Sequence, residues 1–115
     1  MTIIYGIKNC DTVKKARKWL DTQGISYQFH DFREQGLDED LLNQFVALSD
    51  WSQLMNKRST TFRQLPEELK SSMTDEQAFE QVMQQPTLIK RPVLLHDDKL
   101  FVGFKDAQYQ EIFGA

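Results

Sequence analysis

The sequence predicts an α/β fold: strand, helix, strand, a block of helices, then two strands and a last helix, on a mixed four-stranded sheet. Three observations predict it. The first 30 residues pass from a β-branched and aromatic run to helical spacing and back to alternation. The middle keeps a helical period. The last third returns to short apolar runs around a turn.

Thr2 to Gly6 is rich in β-branched and aromatic residues and reads as a buried strand. Lys8-Asn9-Cys10 follows as a loop. Asp11 or Thr12 can cap a helix whose apolar face is Val13, Ala16 and Leu20, and Gly24 suits its end. Ile25, Tyr27 and Phe29 alternate with Ser26, Gln28 and His30, the pattern of a strand. This opening has the size of a βαβ unit.

After the cap candidate Asp38, Leu41, Leu42, Phe45 and Leu48 share one helix face. Asp50 can cap a short helix carrying Trp51, Leu54 and Met55. Lys57 to Arg63 is polar and reads as a loop. Pro66 can open another short helix. Thr74 with Gln77 has the capping-box spacing, with Ala78, Phe79, Val82 and Met83 following, and Pro86 stops that helix. Val93-Leu94-Leu95 and Leu100-Phe101-Val102 flank Asp97-Asp98 as a β-hairpin. Asp106 can cap a last helix with Tyr109, Ile112 and Phe113 inward. With the helical block of about 36–86 set aside, βαβ followed by ββα is the thioredoxin arrangement, within one domain spanning residues 1–115.

Composition narrows the function. The 115 residues suit one core, and 40% hydrophobic with 27% charged residues is ordinary for a globular chain. A net charge of −3 gives no electrostatic support for nucleic-acid binding. No apolar run approaches the roughly 20 residues of a membrane span, and Met1-Thr2-Ile3-Ile4-Tyr5 lacks the pattern of a secretory signal. A cytoplasmic protein with no membrane or nucleic-acid partner is expected. There is one cysteine, so neither an internal disulfide nor a multi-cysteine zinc site can form. His30 and His96 have no ligand-like spacing, and no metal is expected.

Cys10 is the candidate nucleophile. Between a first strand and a first helix, backbone N–H groups point outward, and with the helix dipole they favour a negative sulfur. Lys8, Lys14, Lys15, Arg17 and Lys18 surround it, opposed mainly by Asp11, and would draw an anionic substrate. A lone cytosolic cysteine is more often a small buried hydrophobe, and a basic run more often a solvated helix face. The strand–loop–helix setting is what favours the reactive reading. Arg91-Pro92 is the second feature, because a proline at the head of a buried strand needs a positional reason.

The segments Tyr5–Leu20 (YGIKNCDTVKKARKWL), Asn56–Arg63 (NKRSTTFR) and Gln85–Val93 (QPTLIKRPV), with Gly103-Phe104-Lys105, resemble the arsenate reductase (ArsC) family over essentially the whole chain. The resemblance is nearest to the YffB-like branch and extends to the Spx regulators. It implies a thioredoxin-like fold with a helical insertion. It implies Cys10 as the catalytic nucleophile and Arg91 as an anion-binding residue directly before a cis proline, Pro92. A basic residue of the middle loop is also implied, with Arg58 preferred and Lys57 second. Lys8, Asn9, Asp11 and Thr12 flank the nucleophile and complete the expected substrate- or anion-binding set.

The chain also departs from its relatives. Glutaredoxin-coupled arsenate reductases carry a further arginine where Gly103-Phe104-Lys105 stands here, which weighs against arsenate. Spx proteins carry a second cysteine three residues after the first, where this chain has Val13. The expected activity is therefore a thiol/disulfide oxidoreductase with glutathione as reducing co-substrate and an oxidised thiol or oxyanion as substrate. Glutaredoxin is a candidate partner. Arsenate reduction and Spx-like binding to RNA polymerase are the rival readings.

Overall fold

The computed structural model describes residues 1–114. The elements run β1 (Thr2–Gly6), α1 (Asp11–Thr22), β2 (Gln28–Asp31), α2 (Glu39–Leu48), α3 (Trp51–Leu54), α4 (Thr60–Arg63), α5 (Glu67–Ser71), α6 (Asp75–Gln84), a 3₁₀ turn (Pro86–Leu88), β3 (Val93–His96), β4 (Lys99–Val102) and α7 (Asp106–Phe113). No helix among the described residues is long and apolar enough to cross a membrane. The chain forms two compact units: Met1–Gly36 with the segment from Arg91 onward, and Leu37–Lys90.

The first unit holds one mixed sheet in the order β2-β1-β3-β4. β1 pairs parallel with β2 and antiparallel with β3, and β3 pairs antiparallel with β4. This is the thioredoxin-like arrangement. Ile4 of β1 and Leu94 of β3 are fully buried in one cluster with Ala16 and Leu20 of α1 and Tyr109 of α7, so both helices pack on that face of the sheet. Each large apolar side chain buried there contributes about 1.5–3 kcal/mol. Asp97 and Asp98 turn the β3–β4 hairpin with φ of 50° and 66°, the left-handed pair that a two-residue hairpin turn requires.

The second unit buries Leu42, Phe45, Leu54, Phe62, Ala78, Val82, Leu88 and Ile89. Asp38 and Asp50 cap α2 and α3 by accepting from Leu41 N at 2.8 Å and Gln53 N at 3.0 Å. Thr74 and Gln77 form the reciprocal capping box of α6. A bridge between Met55 and Ile89, with Asn56 N donating to Leu88 O and Lys90 N to Leu54 O, both at 2.7 Å, closes the unit.

Local differences from the sequence reading have physical causes. Cys10, not Asp11 or Thr12, is the N-cap of α1, because Lys14 N already donates to Cys10 O at 3.0 Å. Likewise Lys105 is the N-cap of α7 and Asp106 its first residue. The polar stretch expected as a loop contains α4, since Ser59 caps it by accepting from Phe62 N at 3.1 Å and Phe62 is buried. The alternation of Ile25 and Tyr27 precedes β2, which begins only at Gln28. Both residues pack on the core without sheet pairing. Pro86 stops α6 and opens a 3₁₀ turn.

Candidate active site

The strand register gathers one end of the sheet. Tyr5 pairs with Val93, so the chain leaving β1 at Gly6 and the chain entering β3 through Arg91-Pro92 lie at the same end. Asp31 ends β2 opposite Gly6. Val93 pairs with Val102, and Gly103 N donates to Pro92 O at 2.9 Å, which brings Gly103-Phe104-Lys105 to this end as well. The Arg91-Pro92 peptide is cis, as the resemblance implies.

The loop from Ile7 to Cys10 is fixed from two sides. Cys10 N donates to Ile7 O at 3.1 Å, and Phe32 N donates to Gly6 O at 2.8 Å. The buried carboxylate of Asp31 accepts from the backbone N–H groups of Lys8 at 3.2 Å, Arg33 at 2.7 Å and Glu34 at 3.4 Å. Burial alone would push the Asp31 carboxyl up. The N–H donors of Arg33, Lys8 and Glu34, with the Lys8 charge, outweigh it and hold the group below its ordinary value. Beneath the loop, Gly6 lets α1 approach β1, since a Cβ there would lie 2.6 Å from Val13 Cγ2.

Cys10 therefore enters α1 with an extended backbone, φ −87° and ψ 123°, and its partly exposed side chain makes no capping hydrogen bond. The first-turn N–H groups beyond it have no acceptor within the helix, which makes this a place suited to negative charge. A sulfur there can hold a second sulfur in a covalent bond.

The expected residues fall in two places. Lys8, Asn9, Cys10, Asp11, Thr12, Arg91 and Pro92 all lie in the first unit, at the sheet end just described. Lys8 is exposed and pairs with Glu34 at 3.3 Å. Asn9, Asp11 and Thr12 are exposed, Arg91 is partly buried and Pro92 is buried. Lys57 and Arg58 belong to the second unit. There Lys57 lines a cleft of about 240 Å³ with Trp51, Phe62 and Lys70, and Arg58 N donates to Asn56 Oδ1 at 3.2 Å. Of the basic run on α1, Arg17 is occupied. Its guanidinium lies 4.1 Å from the centre of the Phe29 ring, and its Nε donates to the Tyr27 hydroxyl at 3.3 Å.

Sequence reasoning missed Asp31. Its signal was available: an Asp at a strand end, two residues before a chain reversal, is the pattern of a side chain that accepts from the N–H two residues on.

A family model for the ArsC family matches residues 5–112. The chain belongs to the ArsC family. An ArsC-related protein from Brucella melitensis is 51% identical in a solution structure that covers 99% of this chain and 95% of its own, with a TM-score of 0.83. A structure of a protein named YffB is 42% identical over 96% of this chain and 97% of its own, with a TM-score of 0.87. The global transcriptional regulator Spx of Lactiplantibacillus plantarum is 28% identical over 108 residues, 92% of this chain and 81% of that protein. The YffB-like and Spx-related character implied by the motifs is thus met. ArsC membership supports a thiol oxidoreductase of the arsenate-reductase kind.

Proposed function

We propose that this ArsC-family protein is a glutathione-dependent thiol oxidoreductase with Cys10 as its nucleophile. The observation that carries the reading is that Cys10, a partly exposed residue, stands at the head of α1, at the sheet end that also holds Arg91 and Pro92.

With a protein–glutathione mixed disulfide as substrate, the Cys10 thiolate attacks the glutathione sulfur. The substrate S–S bond breaks, its sulfur leaves as a thiolate and takes a proton, and Cys10 is left bonded to glutathione. A second glutathione, as thiolate, attacks that bond, releasing oxidised glutathione and the Cys10 thiolate. One reduced glutathione thus supplies the electrons that return one substrate thiol. An external thiol is required because the chain has one cysteine. Arg91 holds a carboxylate of the tripeptide, and the backbone beside Pro92 offers the peptide a strand-like partner. Lys8, Asn9, Asp11 and Thr12 line the approach to the sulfur. The cytoplasm, where glutathione keeps thiols reduced, is the compartment that suits this cycle.

Two rival readings have specific support. Arsenate reduction rests on the family itself, and polymerase binding rests on the identity to Spx. One experiment separates the three. Purified protein is given a glutathionylated peptide, or arsenate with glutaredoxin, each with reduced glutathione, while its copurification with RNA polymerase is scored. Turnover of the mixed disulfide that disappears in Cys10→Ser supports the proposal. Turnover of arsenate alone, or polymerase binding without turnover, sinks it.

A further inference from the structure

We propose that the groove between α1 and the start of α7 docks an acidic polypeptide segment and thereby presents that segment's oxidised cysteine to Cys10. This rests on the thiol-reductase reading and names its substrate class: a protein cysteine with acidic residues nearby.

The groove has a volume of about 350 Å³ and is lined by Lys15, Lys18, Trp19, Thr22, Phe104 and Asp106. The four α1 residues follow i, i+3, i+4, i+7 spacing and so form one stripe along the helix. Its apolar floor is held rigidly. Trp19 and Phe104 both meet the buried Tyr109 ring edge to face, with centroids 5.6 and 4.7 Å away. Such a floor can take an apolar side chain of a bound segment.

The charge above the floor is uncommitted. Lys15 and Lys18 are exposed, and among the described residues neither has a carboxylate within ion-pair distance. Asp106 is the one acid in the lining and pairs with neither. Arg17 and Lys8, by contrast, are engaged with Phe29 and Glu34.

The spacing from Cys10 sets the register. Lys15 and Lys18 stand five and eight residues beyond it, about 8 and 12 Å along the helix at ~1.5 Å per residue. An extended segment advances about 3.3 Å per residue. Acidic side chains two to four residues from the target cysteine therefore meet the two lysines.

The test uses peptides with one cysteine held as the glutathione mixed disulfide. They carry either Glu or Lys at the second to fourth positions on one side of it, and each side is tried. Wild-type protein should reduce the better acidic peptide about tenfold faster in kcat/KM than its basic counterpart, as two partly exposed charge pairs would give. High salt should shrink the ratio, and Lys15→Glu/Lys18→Glu should invert it. Because the readout is a ratio, any general change in Cys10 reactivity cancels. An unchanged ratio in the double variant overturns the proposal.

Docking is also read without chemistry, from the fluorescence anisotropy of a labelled acidic peptide whose cysteine is replaced by serine. It should bind wild-type protein and bind the double variant about tenfold more weakly. Binding with no turnover of any peptide, or of the neutral hydroxyethyl disulfide, leaves the groove standing and removes the reductase reading. Turnover of the neutral disulfide with no charge preference does the reverse.

Discussion

The carboxylate of Asp31 accepts a hydrogen bond from the backbone N–H of Lys8 at 3.2 Å, so the loop that delivers Cys10 is tied to the end of β2. The same group accepts from Arg33 and Glu34 and is buried. A single anion thus satisfies one backbone donor of the loop that carries Cys10 and two of the turn that follows β2.

Asp31 makes this tie dependent on pH. Its carboxyl is held below the ordinary value near ~3.9. Its contribution is therefore full above the ordinary range and is lost as pH falls through that range to the lower folded value. Asp31→Asn should lower the melting temperature at neutral pH and flatten the acid limb of the stability curve. Thermal melts of both proteins between pH 7 and pH 2.5 check this. Parallel curves would contradict it.

Gly6 is sized for Val13. An added Cβ would sit 2.6 Å from Val13 Cγ2 and 3.3 Å from Cγ1, so Gly6→Ala should cost about 1–3 kcal/mol by overpacking. Val13→Ala placed in the same chain removes the clashing methyls. The double variant should be more stable than the sum of the single losses in urea unfolding. Additive losses would contradict the clash.

The hydroxyl of Tyr109 is buried and has no hydrogen-bond partner among the described residues. Leaving such a group unmade costs about 1–3 kcal/mol, so Tyr109→Phe should keep or raise stability. Burial also pushes the Tyr109 phenol far above its usual value. The stability tied to that shift is complete below the ordinary tyrosine value of ~10 and falls as pH rises past it. Calorimetry between pH 7 and pH 11 should show a smaller alkaline loss in Tyr109→Phe. A destabilised variant with an unchanged alkaline limb would contradict both points.

Arg91 shares the sheet end that holds Cys10. Arg91→Ala should slow alkylation of Cys10 at neutral pH about two- to fivefold, the effect of a partly exposed charge pair worth up to about 1 kcal/mol. Arg91→Lys should recover part of the rate, since it keeps the charge but not the planar fork. Equal rates in all three proteins would remove Arg91 from the electrostatics of the site.

The fold was legible where a residue type has one strong local reason. Val13, Ala16 and Leu20 marked the buried face of α1, Thr74 and Gln77 marked the start of α6, and Asp97-Asp98 marked the hairpin. It was less legible where several short features compete. Asp11 and Thr12 both have capping side chains, yet Cys10 is the N-cap because the backbone bond to Lys14 N decides it. Ser59 starts a helix within a polar stretch because Phe62 is buried behind it. In the site, the position of Cys10 and the cis bond before Pro92 could be anticipated from motifs. The role of Asp31 depends on Lys8, 23 residues earlier in the chain, and local pattern does not contain that pairing.

The proposed cycle requires that Cys10 exchange with glutathione in the folded protein. Intact-mass spectrometry after incubation with oxidised glutathione in native buffer tests it most directly. The folded protein should take up one glutathione per chain, mapped to Cys10, removed by reduced glutathione and absent in a folded Cys10→Ser variant. A Cys10 that stays unmodified in native buffer and reacts only after denaturation would contradict it.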